Sequence, residues 1–162
     1  MPEDRRRRPR RYTTFVEDYV EVPGSTADVR ARFVNDGKWL EPLANAAQED
    51  ADVVRLAIGP AWAWGPLSRE VRVRILGRRE RDDSVVITIS WEPVTHPSLF
   101  PILSGDLELA PIGGGLSRLT LSASYEPPLG EVGEALDRAI LHRVAQSTVR
   151  SFLQRLAKTL GE

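Results

Sequence analysis

Between residues 67 and 126 the chain alternates apolar and polar side chains with a period of two in four successive runs. After Pro127 and Pro128 it stops doing so. In 67–76, Val71, Val73 and Ile75 face one way while Glu70, Arg72 and Arg74 face the other. In 84–92 the apolar row is Val85, Ile87, Ile89 and Trp91. In 103–110 it is Leu103, Leu107 and Leu109, with Asp106 and Glu108 opposite, and in 116–126 it is Leu119, Leu121, Ala123 and Tyr125. Successive strand residues point to opposite faces, so each run is a strand with one dry and one wet face. Such runs in series specify an antiparallel sheet. "RRERDD" (78–83) and "PIGGG" (111–115) supply turns. Two further strands precede these. Residues 12–22 place Val16, Val20 and Val22 on one face together with Asp18, and 52–58 read "DVVRLAI".

From Glu131 to Leu160 the period changes. Val132, Leu136, Ile140, Val144, Thr148, Phe152, Leu156 and Leu160 recur at helical spacing, and Leu141, Ala145, Val149 and Leu153 widen the stripe. Glu131, Glu134 and Asp137 sit early and Arg150, Arg155 and Lys158 late, in the sense the helix dipole favours. This row predicts a long helix with one face against the sheet. Two short helices are expected after the first strand. One is entered at Ser25, with Asp28 resembling a capping box, and runs to about Asn35. The other spans "DGKWLEPLANAA" and places Trp39, Leu40 and Leu43 on one side, with Pro42 near its first turn.

Composition bounds the function. At 162 residues, 41% hydrophobic and 28% charged, the chain reads as one globular domain (12–162) large enough to bury a core. It has no apolar run near the length of a membrane span, and the Arg-rich start leads into "YTTFVEDYVEV", not an apolar signal core; the expected location is cytoplasmic. With no cysteine, disulfides, thiolate nucleophiles and sulfur-ligated metals are excluded. Residues 1–11 hold six arginines against Glu3 and Asp4, so the rest of the chain carries 16 basic and 21 acidic side chains, net -5. The arm reads as a disordered, solvated tail, with nucleic acid or an anionic membrane as the functional alternative. The acidic body argues against nucleic acid, and a steep salt dependence of binding, lost on deleting 1–11, is the sign that would restore that reading.

One strand, two short helices, a run of antiparallel strands and a long C-terminal helix form a distinctive order. It is carried by "VEVPGSTADVRARFVN", "LSREVRVRILG", the stretch from "WEPVTHPSLFPILSGDLELAPIGGG" through "ALDR", and "VAQSTVRSFLQRLA". Over about residues 12–160 this resembles the SRPBCC superfamily, the START and polyketide-cyclase-like proteins. The resemblance implies an α+β helix-grip fold: a curved antiparallel sheet of six or seven strands around the C-terminal helix, enclosing a mostly apolar cavity. Six strands are legible, and a seventh would have to lie near Ala61–Trp64. Such proteins bind lipids, polyketides and other hydrophobic small molecules, and some catalyse cyclisation or dehydration.

The candidate ligand-binding residues are Trp62, Trp64, Trp91, His96, Phe100, Tyr125, Ile140 and Val144. Trp62 and Trp64 share a face if "IGPAWAWGP" is extended, either at a cavity rim or packed near Trp39. His96 and Phe100 lie in the Pro-rich connection "WEPVTHPSLFP". Trp91 continues an inward row as core or cavity wall. Tyr125 ends another with a hydroxyl that needs a partner, either backbone or ligand. His142 reads as an exposed helix histidine. Two isolated histidines do not make a metal site, and no nucleotide, hydrolase or metalloprotease motif is present. The first expectation is a binding or carrier protein for a hydrophobic or aromatic small molecule, without cofactor, as monomer or homodimer. The alternative is a cyclase or dehydratase using His96 or Tyr125 as acid/base, with Asp18 the one inward carboxylate. The scarcity of inward ionisable groups favours binding.

Overall fold

The computed structural model describes residues 13–35, 38–43, 53–58, 69–94, 102–126 and 138–162. The elements follow the expected order: β1 (Thr14–Pro23), α1 (Thr26–Phe33), a 3-10 helix (Lys38–Leu43), β2 (Val53–Ile58), β3 (Arg69–Glu80), β4 (Val85–Pro93), β5 (Ile102–Gly113), β6 (Leu116–Glu126) and α2 (Arg138–Gly161). The strands make one antiparallel sheet in the order β1-β6-β5-β4-β3-β2. The expected arm at residues 1–11, the expected extra strand near Ala61–Trp64 and the helix positions Val132 and Leu136 lie outside the described residues.

Alternation fixes the faces. Val71, Val73, Val85, Ile87, Ile89, Trp91, Leu103, Leu107, Leu109, Leu119, Leu121, Ala123 and Tyr125 are all buried. They form one core with Val149, Phe152, Leu153, Leu156 and Leu160 of α2, the second half of the predicted stripe. Trp91 meets Phe152 edge-on with ring centroids 5.5 Å apart. The direction of α2 is set by its last turn, where Gly161 packs on the carbonyl of Pro23. Further back, Arg150 grips Asp18 through Nε at 2.8 Å and Nη2 at 2.6 Å.

Several local expectations are corrected. Ser25 precedes α1, but no side chain caps the helix; the Ser25 carbonyl accepts the first helical bond, from Val29 N at 2.9 Å, as any N-cap carbonyl does. The box needs Glu or Gln to reach back, and Asp28 is one methylene short. The second helix is 3-10, with Pro42 inside it, though Trp39, Leu40 and Leu43 are buried as expected. Arg78, Arg79 and Glu80 belong to β3 and not to a turn. A bulge between Ile75 and Gly77 resets the register, and the turn itself is closed by Arg81 N donating to Ser84 O. β5 likewise runs on to Gly113. The three glycines Gly113, Gly114 and Gly115 all take positive φ, at 89°, 62° and 75°, a region that L side chains disfavour. Val86, on the wet face by alternation, is only 3% exposed. It lies between Arg79 and Glu108 in the register, whose long stems can cover it.

Candidate functional site

The inner face of the sheet carries one row with chemistry in it. Register places Val73, Trp91, Leu103, Tyr125 and Thr14 side by side across β3, β4, β5, β6 and β1. Neighbouring strands are about 4.8 Å apart, so the Trp91 and Tyr125 backbones, two strands distant, are roughly 10 Å apart. This row lies near one edge of the grip. The strand ends Ile58, Arg69, Pro93, Ile102, Glu126 and Thr14 all fall there. Because the C-terminus of α2 packs on Pro23, at the far end of β1, the helix start points to the same edge.

Packing of α2 loosens in that direction. Val149, Leu153, Leu156 and Leu160 have no exposure, whereas Val144 and Ala145 are only half-buried. Val144 was expected to face the sheet and to take part in ligand binding, and it is half-buried. His142, expected to be exposed, is half-buried in the same turn region.

Tyr125 is 4% exposed. Burial raises its pKa above the ordinary 10.0, and a hydrogen bond with the Thr14 side chain, directly opposite in the register, offsets part of that rise. The hydroxyl is therefore neutral and already engaged near physiological pH. Trp91 is 2% exposed, and its Nε1 has no hydrogen-bond partner among the described residues; the same holds for Trp39 Nε1. Asp18 is not a free acid, because Arg150 holds both its oxygens. Among the described residues no group of three His, Asp or Glu could hold a metal, and no helix is long and apolar enough to cross a membrane.

Of the candidate residues, strand register puts Trp91 and Tyr125 in one buried row, and Val144 is half-buried on α2. Ile140 is within α2, with its side chain outside the described set. Trp62, Trp64, His96 and Phe100 fall outside the described residues, between strand ends that share the edge. Sequence reading missed a depression on the outer face, about 520 Å³, lined by Phe15, Glu17, Thr88, Ser104, Asp106 and Ser122 among others. Its carboxylates are satisfied locally. Ser122 donates to Glu17 at 2.7 Å, while Thr88 and Arg79 donate to Asp106 at 2.6 and 2.7 Å. The small residues 104, 105, 122, 123 and 124, of which Ser104, Ser122 and Ser124 point outward, were its sequence signal.

No protein-family model matches the chain, and no curated protein matches it. Solved structures do. A conserved protein from Geobacillus kaustophilus superposes with a TM-score of 0.60 at 18% identity, covering 91% of this chain and 95% of that one. The Zhui aromatase/cyclase from a Streptomyces species gives 0.56 at 18% identity, covering 92% and 94%. A START superfamily protein from Mycobacterium smegmatis gives 0.52 at 15% identity, covering 91% and 94%. The chain thus shares the fold of these structures, the helix grip that the sequence resemblance implied.

Proposed function

We propose that this protein binds a hydrophobic or aromatic small molecule between the sheet and the first turns of α2, as a carrier without catalysis. The observation that carries this reading is the inner row from Val73 through Trp91 and Leu103 to Tyr125. It is apolar except at Trp91 Nε1 and the tyrosine hydroxyl, and α2, which packs on this face through Phe152, is only half-buried nearer its start at Val144 and Ala145. Apolar concavities with few convergent polar groups are the usual form of small-molecule sites. In this reading Trp62, Trp64, His96, Phe100 and Ile140 line the same edge with Trp91, Tyr125 and Val144. That one structural neighbour is an aromatase/cyclase supports a small organic ligand in such a grip.

The raised pKa of Tyr125 weighs against cyclisation or dehydration through that residue. A proton shuttle works best with a pKa near the working pH, and burial moves this hydroxyl the other way.

The test is binding of an uncharged naphthyl fluorophore, N-phenyl-1-naphthylamine, with quenching of tryptophan emission. One saturable site is expected. Trp64→Ala should weaken binding by about 1–3 kcal/mol, the value of one large apolar contact. It should cost less stability than Trp91→Ala, for which a buried core truncation implies roughly 3–5 kcal/mol. Absence of saturable binding, or equal destabilisation by both variants with unchanged binding, would sink the reading.

A further inference from the structure

We infer that the depression on the outer face of the sheet is the docking site of the chain's own N-terminal arm, whose arginines bring the donors and the positive charge that it lacks; this is independent of any ligand on the inner face. The depression, about 520 Å³, runs across β1, β6, β5 and β4. No lysine or arginine lines it. Three of its four hydroxyls already have their hydrogens engaged. Ser122 donates to Glu17, Thr88 to Asp106 and Ser124 to the Ser104 carbonyl. The remaining capacity of these groups is in oxygen lone pairs, which only accept. Arg79 balances Asp106 at 2.7 Å, whereas Glu17 meets the Ser122 hydroxyl and no cation among the described residues. The depression thus carries one unbalanced carboxylate and accepts more hydrogen bonds than it donates.

Phe15 stands beside Glu17 on the same face of β1 and is 76% exposed, the highest value among the large apolar side chains described. A ring next to a carboxylate suits a guanidinium, which pairs with the one and stacks on the other. The same strand face already shows such a contact: the Arg118 guanidinium carbon is 4.7 Å from the centre of the Tyr19 ring. The sequence places six arginines (Arg5, Arg6, Arg7, Arg8, Arg10 and Arg11) directly before β1. Residues 1–12 lie outside the described residues, and only Thr13 and Thr14 separate them from Phe15. Six residues of chain, from Arg8 to Thr14, can span at most about 20 Å. The far wall of the depression at Thr88 is three strands from Glu17, about 14 Å. The arm therefore reaches all of it. Covalent attachment also holds the arm at an effective concentration of roughly millimolar, an advantage that the arm of a second copy would lack. An anion or an uncharged apolar molecule would leave Glu17 unbalanced.

The experiment uses trypsin, which cuts after arginine and needs an undocked chain, on the full-length protein, with loss of the arm followed by mass spectrometry. At low ionic strength, about 0.02 M, Glu17→Gln and Phe15→Ser should each speed removal of the arm by about threefold, on the scale of one exposed ion pair or one stacked cation. Glu21→Gln makes the same charge change on the same face of β1, outside the depression, and should leave the rate as in the wild type. Raising the salt to about 0.5 M should bring the wild type to the rate of Glu17→Gln, because exposed charges are then screened. The rate should not depend on protein concentration. The inference is overturned if Glu17→Gln and the wild type are cut equally fast at low salt. It is overturned too if Glu21→Gln accelerates cutting as much as Glu17→Gln, since the general field of the acidic body would then be the cause. Protection that grows with protein concentration would place the arm on a second copy and overturn docking within one chain. Glu17 and Phe15 are both exposed, so the variants should keep the parent melting temperature; should one of them lose it, the other and the salt dependence decide by the same criteria.

Discussion

A carboxylate on an otherwise apolar strand face is a liability unless something answers it. Asp18 is answered by a bidentate Arg150, with its own side chain only 14% exposed. The Arg79–Asp106 pair is as short, at 2.7 Å, but open to solvent on both sides, 59% and 44%. Exposed pairs contribute little, whereas stranding a shielded charge costs more. Arg150→Ala should therefore destabilise by about 1–2 kcal/mol in urea titration and Arg79→Ala by less than about 0.5 kcal/mol. Equal losses would contradict the difference in shielding. Tyr125 gives a pH signature. Its folded pKa is raised above 10.0, so the folded state holds the proton more tightly than the unfolded chain. The stability this represents is complete below about pH 10 and disappears as pH rises through the folded pKa. Tyr125→Phe should lose stability less steeply than the wild type above about pH 10, followed by thermal midpoint. Parallel slopes would mean the hydroxyl is not buried in solution.

Two elements owe their placement to single residues that pattern reading passes over. Gly105 faces Ala123 across β5 and β6, and a Cβ there would lie 2.4 Å from the Ala123 Cβ and 2.5 Å from the Ser122 carbonyl. Neither atom can swing away. Gly105→Ala should cost about 1–3 kcal/mol, on the scale of overpacking. Adding Ala123→Gly should recover part of that, because it removes the nearer clash. Full tolerance of the single variant would show that the strands are less pinched than the geometry says. Arginines join the helices to their surroundings. Arg32 donates to the Leu160 carbonyl at 2.7 Å, closing the end of α2. Arg78 donates to Val34 at 2.8 Å, closing the end of α1. Arg155 reaches Ala57 and Leu43 at 2.7 and 3.2 Å with its two terminal nitrogens. Lysine offers a single nitrogen, so Arg155→Lys should lose one of these carbonyls and roughly 1 kcal/mol, measurable by denaturant midpoint.

At the scale of the molecule, one helix closes one sheet. Phe152, at 2% exposure against Trp91, sits where they meet. Phe152→Ala should cost roughly 3–5 kcal/mol, and Phe152→Asp should prevent folding because it buries an unpaired charge. A Phe152→Asp protein with the parent melting temperature would mean the helix is phased differently. The sequence by itself determined the element order, the faces of four strands and the buried half of α2. Period-two and period-3.6 burial are local regularities that a sheet and a helix impose on their own residues. It also marked Trp91 and Tyr125 as inward. It could not say that Thr14 stands beside Tyr125, that Arg150 answers Asp18, or that Val144 is only half-buried. Those depend on register and on the direction of α2, which join residues more than a hundred positions apart. The state of the Trp91 N–H was tertiary in the same way. Whether a buried donor has a partner is decided by what the rest of the chain places against it.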